Sequence, residues 1–213
     1  MNRLDNFINE CDIALKTLSF KKSGTGRLYP ANEAPSSLSK EEKNLSAQLM
    51  RVNLAGEVAA QALYRGQAMV CKDAEIKNHL VQAGEEETDH LIWCKKRLEE
   101  LNGKPSILNP VWYAGSFAIG AIFGSFGEKT SLGFVEETEK QVVKHLEKHL
   151  DKVSKNDTET IEILKTMRAD EDEHAQEAIE NGSESLSEPT KKVMSFTAVS
   201  YTHLRAHETE ADL

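Results

Sequence analysis

The tetrapeptides ETDH (87–90) and EDEH (171–174) decide the fold of this chain. Each is a Glu-x-x-His pair, and another glutamate precedes each pair by about thirty residues: Glu57 before the first and Glu139 before the second. Because residues i and i+3 lie on one face of an α-helix, each pair can hold a single ion. The chain therefore contains two copies of one unit, in which a helix with a glutamate is followed by a helix with Glu-x-x-His.

Apolar residues at helical spacing place these charged residues on inward faces. They recur three or four positions apart: Leu80, Ala83, Leu91, Cys94 and Leu98 around Glu87; Val135, Val142, Leu146 and Val153 around Glu139; Leu164, Met167 and Ala178 around Glu171 and His174. An unpaired carboxylate is expensive to bury, and two divalent cations would cancel four such charges. The alternative is that these are solvated charges on wide helix faces, since about one such pair is expected by chance from 26 glutamates and 7 histidines.

The rest of the chain predicts an all-α fold. Helices are expected at about 4–18, 39–70, 74–101, 130–153 and 157–181, with a loop over 20–37 and a capping box, Ser39 to Glu42, opening the first long helix. Two short connections and one long one between the four long helices indicate a ferritin-like four-helix bundle with a long apolar crossover and short flanking helices. Four carboxylates and two imidazoles inside such a bundle form a di-iron or di-manganese carboxylate site.

Composition narrows the class of protein. The 213 residues fit one domain, expected over 1–198 and beginning with a helix and loop over 1–38, and the formal charge of −9 argues against a nucleic-acid partner. The three cysteines have no CxxC spacing, which argues against a rubrerythrin-like peroxidase. Their odd number, without a signal peptide, suggests reduced thiols inside a cell.

The crossover, residues 105–127, contains no charged residue and includes the apolar run VWYAGSFAIGAIFGSF (111–126). We expect it to be partly exposed, lying in a membrane interface or lining an apolar ligand channel. A buried core helix and a membrane-spanning helix are the alternatives, although the apolar run is shorter than the roughly 20 residues that a span needs.

Four blocks of the sequence closely resemble the bacterial demethoxyubiquinone hydroxylases, a family of ferritin-like di-iron carboxylate enzymes. They are RVNLAGEVAAQALYRGQA (51–68), EEETDHLIWCKKRLEELNGKPSILNPVWYAGSFAIG (85–120), SLGFVEETEKQVVKHLEKHL (131–150) and MRADEDEHAQEA (167–178). The resemblance implies a monooxygenase of ubiquinone biosynthesis that uses O2 to hydroxylate a polyprenyl demethoxyubiquinol. A ferritin-like iron-storage protein and a helical interaction module without metal are the rival hypotheses.

The resemblance also implies a set of site residues. The six iron ligands would be Glu57, Glu87, His90, Glu139, Glu171 and His174, and Glu87 and Glu171 would bridge two iron ions. Glu57 and His90 would serve one ion, and Glu139 and His174 the other. His145 and Tyr64 are candidates for supporting these ligands. The family usually has histidine where this chain has Leu54, which puts a hydrogen bond near the site in doubt.

Further expectations concern location, partners and the tail. The resemblance implies a peripheral protein at the cytoplasmic face of the inner membrane, with a quinol and O2 as substrates and a biosynthetic complex or a homo-oligomer as its assembly. Residues 199–213 have no match to the family and look like a non-native tail.

Overall fold

The computed structural model describes residues 3–31 and 37–195, and in that part of the chain every regular element is a helix. The helices are α1 (Arg3–Leu18), α2 (Lys40–Val70), α3 (Ala74–Glu100), α4 (Asn109–Ser125), α5 (Glu128–Lys152), α6 (Thr158–Glu180) and α7 (188–195). The all-α prediction is therefore confirmed, and each of the five helices expected from the sequence begins and ends within two residues of its predicted bounds. The tail over 199–213 lies outside the described residues.

Side-chain caps set where the long helices begin. The Ser39 hydroxyl accepts from the Glu42 amide and the Glu42 carboxylate accepts from the Ser39 amide, so the predicted capping box is present at the start of α2. Asp73 caps α3 and Asp157 caps α6 in the same manner, by accepting backbone N–H groups. The Asp157 carboxylate also accepts a hydrogen bond from Arg97 Nη2 at 2.6 Å, and this contact links the start of α6 to α3.

The four long helices form two hairpins, α2 with α3 and α5 with α6, joined by the crossover. Several side-chain hydrogen bonds connect the hairpins. Among them, Gln67 on α2 donates to the Ser131 carbonyl and hydroxyl on α5, each at 2.8 Å, and Arg97 on α3 donates to Thr160 on α6 at 2.9 Å. Between them lies an apolar core whose largest fully buried side chains include Met50, Leu54, Leu91, Leu98, Leu146, Ile163, Leu164 and Met167. The side chains of the two Glu-x-x-His pairs and of the two preceding glutamates, Glu57 and Glu139, are buried within this core.

The crossover contains a helix, α4, that lies directly against α2. Glycines make the close approach possible: a Cβ at Gly66 would be 2.2 Å from the Phe117 carbonyl oxygen, and one at Gly120 would be 2.2 Å from that of Leu63. Only four residues of α4 are buried, namely Asn109, Tyr113, Gly120 and Gly124. The prediction of a partly exposed segment is confirmed, and the buried core helix is wrong.

The outer face of α4 is apolar. Exposed large side chains on and beside it are Ile107, Val111, Ile119, Ile122 and Phe126. In the part of the chain that the structure describes, no helix has the length and apolar character needed to cross a membrane. The spanning alternative for the crossover is therefore wrong.

Candidate metal centre

Three helices bring four buried groups together at the centre of the bundle. Ligand atoms of Glu57 (α2), Glu87 and His90 (α3) and Glu171 (α6) all lie within 4.8 Å of one another. Each of these residues is at most 4% exposed. The helical spacing explains the arrangement, because Glu87 and His90 lie one turn apart on the face of α3 that packs toward α6.

The two histidines turn the same ring atom toward the two central glutamates. His90 Nδ1 lies 3.1 Å from Glu87 Oε2 and 3.1 Å from Glu171 Oε1. His174 Nδ1 lies 3.2 Å from Glu87 Oε1 and 3.3 Å from Glu171 Oε2. Each carboxylate therefore presents one oxygen to each histidine.

The remaining glutamates lie on opposite sides of this centre. Glu57 Oε2 is 3.8 Å from His90 Nδ1, which places Glu57 on the His90 side. Glu139 is buried on α5 and accepts a hydrogen bond from the Tyr64 hydroxyl at 2.8 Å. Its neighbours Glu136 and Glu137 instead pair near the surface with Lys140 and Gln141, so the inward position that the apolar spacing assigns to Glu139 is confirmed.

The outer ring nitrogen of each histidine meets a carboxylate from the other hairpin. His90 Nε2 lies 2.8 Å from Asp170 Oδ2, and His174 Nε2 lies 3.0 Å from Glu86 Oε2. A carboxylate on the outer nitrogen fixes the tautomer and the ring orientation of a metal-binding histidine and leaves the inner nitrogen free for the ion. Asp170 and Glu86 do not stand out in the sequence as site residues, although each directly precedes the glutamate of a Glu-x-x-His pair.

The charges of the centre are strongly coupled. Burial raises the pKa of Glu57 and of Glu139 well above the usual value, and the nearby carboxylates raise it further. Burial would also raise the pKa of Glu87, but the imidazoles of His90 and His174 hold it well below its usual value. Burial disfavours the charged form of both histidines, yet their carboxylate neighbours raise the pKa of each. Without a bound cation, the centre therefore retains protons on several groups.

Divalent metal ions fit this set of donors. Carboxylate oxygen and imidazole nitrogen suit iron and manganese. Glu139 Oε2 is buried with no hydrogen-bond partner, which is costly unless another group, such as a cation, meets it. Two dications would also replace the protons that otherwise reduce repulsion among the four glutamates.

Other residues expected near the site have different surroundings. His145 is half-buried on α5 and contacts His149, with ring centroids 4.0 Å apart and ring planes tilted by 56°. Burial, with help from Lys148 and Lys152, lowers the pKa of His145 to about 4, so its imidazole is neutral at physiological pH. Its support of a ligand stays a prediction. Leu54 is fully buried in the apolar core one turn before Glu57.

Comparison with known proteins identifies close relatives. The family model described as ubiquinone biosynthesis protein COQ7 matches residues 44–203. Three proteins named 3-demethoxyubiquinol 3-hydroxylase are similar over most of both chains. That of Legionella pneumophila strain Lens is 50% identical over 90% of this chain and 91% of its own. The protein of Francisella philomiragia is 47% identical over 94% of this chain and 95% of its own. The protein of Nitrosococcus oceani is 48% identical over 91% of each chain. The family match extends five residues beyond the expected limit at Ala198.

Proposed function

Because this chain belongs to the COQ7 family of ubiquinone biosynthesis proteins, we propose that it is a di-iron monooxygenase that hydroxylates the ring of a polyprenyl demethoxyubiquinol. The observation that carries the proposal is the pair of central glutamates. Glu87 and Glu171 each direct one oxygen to His90 and the other to His174, at 3.1–3.3 Å. This is the arrangement that two carboxylates need in order to bridge two ions.

The six proposed ligands divide between the two ions. Glu57 and His90 serve one position, Glu139 and His174 serve the other, and Glu87 and Glu171 belong to both. Two iron ions held there would supply the activation of O2. One oxygen atom would enter the quinol ring, and the other would leave as water with two protons and two electrons from an external reductant.

The protein supplies orientation and a dry surrounding. Asp170 and Glu86 hold the outer nitrogens of the two histidines, so that each Nδ1 stays directed at the centre. Burial raises the pKa of Tyr64, which keeps its hydroxyl protonated and able to donate to Glu139. Cys94 and Met167, both fully buried in the apolar core, meet with their sulfur atoms 3.7 Å apart. We also propose His145 as a support for the ligands, although its ring contact in the described part of the chain is with His149.

The apolar face of α4 fits a substrate with an isoprenoid tail. Ile107 and Phe126, at the two ends of this face, are 86% and 67% exposed, and Ile119 and Ile122 lie between them. Exposed apolar side chains in such number mark a surface that binds apolar material. We assign this face to the membrane interface, where the quinol is found, and place the protein peripherally on the cytoplasmic face of the inner membrane. A complex with other biosynthetic proteins or a homo-oligomer is consistent with this location.

Iron storage is not favoured as the function. The relatives that match at least nine-tenths of this chain share the hydroxylase name. The donor set alone would suit either role, so the distinction depends on the reaction and on the apolar face of α4.

Two measurements test the proposal. Metal analysis of the purified, iron-loaded protein should find about two iron ions per chain, as the six-ligand site requires. In a strain without its own demethoxyubiquinone hydroxylase, the chain should restore ubiquinone. Accumulation of the demethoxy intermediate despite full iron loading would reject the hydroxylase and favour storage.

The same strain tests the tail. We propose that residues 199–213 are non-native, so a chain ending at Ala198 should restore ubiquinone as well as the full chain. Because the family match continues to residue 203, a chain ending at His203 is the comparison. If the chain ending at His203 is active and the chain ending at Ala198 is not, residues 199–203 belong to the native domain.

A further inference from the structure

An irregular segment of the N-terminal region, residues 21–31, runs along the outside of α3 beside the metal centre. Three of its residues bind α3 in order along that helix, and Arg27 binds a side chain of α6. Lys22 Nζ donates to the Gly84 carbonyl at 3.4 Å, the Thr25 amide donates to Asp89 at 3.0 Å, Arg27 reaches Asp170, and the Tyr29 hydroxyl donates to Glu100 at 3.1 Å. We call residues 21–31 the N-terminal strap.

The strap is fixed most firmly beside Arg27. Asp89, which is 2% exposed, accepts hydrogen bonds from both the amide and the hydroxyl of Thr25. Gly24 lies so close that a Cβ there would be 2.0 Å from Asp89 Oδ1. Trp93 then supports the next residues, with the Arg27 guanidinium carbon 4.9 Å from its ring centroid.

Arg27 holds the carboxylate that orients His90. Its two terminal nitrogens lie 3.0 Å from Asp170 Oδ1 and 2.6 Å from Asp170 Oδ2, which is a two-point contact. Asp170 Oδ2 is also the atom that lies 2.8 Å from His90 Nε2. With both of its oxygens bound by Arg27, the Asp170 carboxylate cannot rotate freely, and the His90 ring is held in turn.

The His174 side lacks this direct clamp. Its outer partner, Glu86, has a side chain that is 31% exposed against 17% for Asp170. Glu86 is bound at its other oxygen by the neutral amide of Gln82, at 3.2 Å. The two halves of the centre therefore have similar ligands but different support.

We infer that Arg27 is a positioning residue for the metal centre, which fixes Asp170, through it His90, and so strengthens metal binding at the Glu57–His90 position. This inference rests on the proposed two-metal site. It predicts that loss of Arg27 weakens this metal position more than the other, a difference that general destabilisation would not produce.

The test measures Mn2+ binding, with the free ion followed by electron paramagnetic resonance, in two single-position backgrounds. Glu139→Gln retains the Glu57–His90 position, and Glu57→Gln retains the Glu139–His174 position. Adding Arg27→Gln should weaken binding about tenfold in the first background, the lower end of the range for outer partners of metal ligands. In the second background, binding should weaken much less, because Arg27 acts on Glu86 through its charge and not through a two-point contact. Arg27→Lys should recover part of the loss, because an ammonium keeps the charge but not the two-point contact.

Arg65→Gln is the matched control. Arg65 also binds the N-terminal region through a two-point contact, but its partner is Glu10 on α1, away from the centre. It should leave Mn2+ binding unchanged in both backgrounds. Equal weakening by Arg27→Gln in both backgrounds, equal weakening by Arg65→Gln, or no effect of Arg27→Gln would each overturn the inference.

A double-mutant cycle in the otherwise unchanged chain gives a second test that does not depend on the folding of either background. Because Arg27 acts through Asp170, combining Arg27→Gln with Asp170→Asn should weaken Mn2+ binding no more than Asp170→Asn alone. Additive losses would overturn the inference. Failure of the unaltered protein to bind two ions would instead reject the proposed site itself, and the inference with it.

Discussion

A Cβ added to Gly120 would lie 2.2 Å from the carbonyl oxygen of Leu63, so α4 and α2 touch backbone to backbone at this point. Gly120→Ala should therefore force the helices apart and lower the free energy of unfolding by about 1–3 kcal/mol. Gly115 lies on the open side of the same helix, where a Cβ would meet nothing within 4 Å. Gly115→Ala should raise stability by about 0.5–1 kcal/mol. Chemical denaturation measures both, and equal effects would contradict the described packing.

Removal of one central glutamate should disable both metal positions. Glu171→Ala should reduce iron from about two ions per chain to one or fewer, because the carboxylate faces both histidines. Glu173→Ala, an exposed neighbour on α6, is the control and should retain full iron. Full iron and activity in Glu171→Ala would disprove the ligand assignment.

Binding to membranes should depend on the outer face of α4. Ile119 and Ile122 are 40% and 54% exposed, whereas Phe117 packs partly against the core. Replacing both isoleucines with Asp should weaken partitioning to quinone-containing vesicles by about tenfold or more, while the iron content stays the same. The control is the double variant Ile92→Asp with Ile179→Asp, which replaces two exposed isoleucines on α3 and α6 instead. This control should not affect partitioning to the vesicles. Unchanged partitioning of the α4 variant would exclude this face from membrane contact.

Metal binding should release protons. The pKa values of Glu57, Glu139, His90 and His174 are all raised in the metal-free centre, so these groups hold protons more tightly than free carboxyls and imidazoles do. A cation must displace those protons, and affinity should therefore fall as the pH is lowered and rise as it is increased. Calorimetry of Mn2+ binding in buffers of different ionisation enthalpy should report a release of about two or more protons per chain. Affinity that is independent of pH would contradict the raised pKa values.

The helices and the inward direction of the ligands could be predicted from the sequence because both depend on local spacing. The 3.6-residue period places Glu87 beside His90 and Glu171 beside His174 whatever the rest of the chain does. The same period selects Glu139 over Glu136 and Glu137. The capping box of α2 spans only four residues, from Ser39 to Glu42, and could therefore also be predicted from the sequence.

The tertiary structure alone decided which groups support the ligands and how the crossover lies. Asp170 meets His90 across 80 residues of sequence, and Arg27 meets Asp170 across 143, so neither contact has a local signature. The segment 111–126 has apolar residues and glycines on all sides, and therefore no periodicity shows which face is buried. Only the packing of α4 on α2 determines that Gly120 and Gly124 face inward and that Ile119 and Ile122 remain exposed. Local periodicity specifies a residue's place on its own helix, whereas contacts between helices depend on how the whole bundle packs.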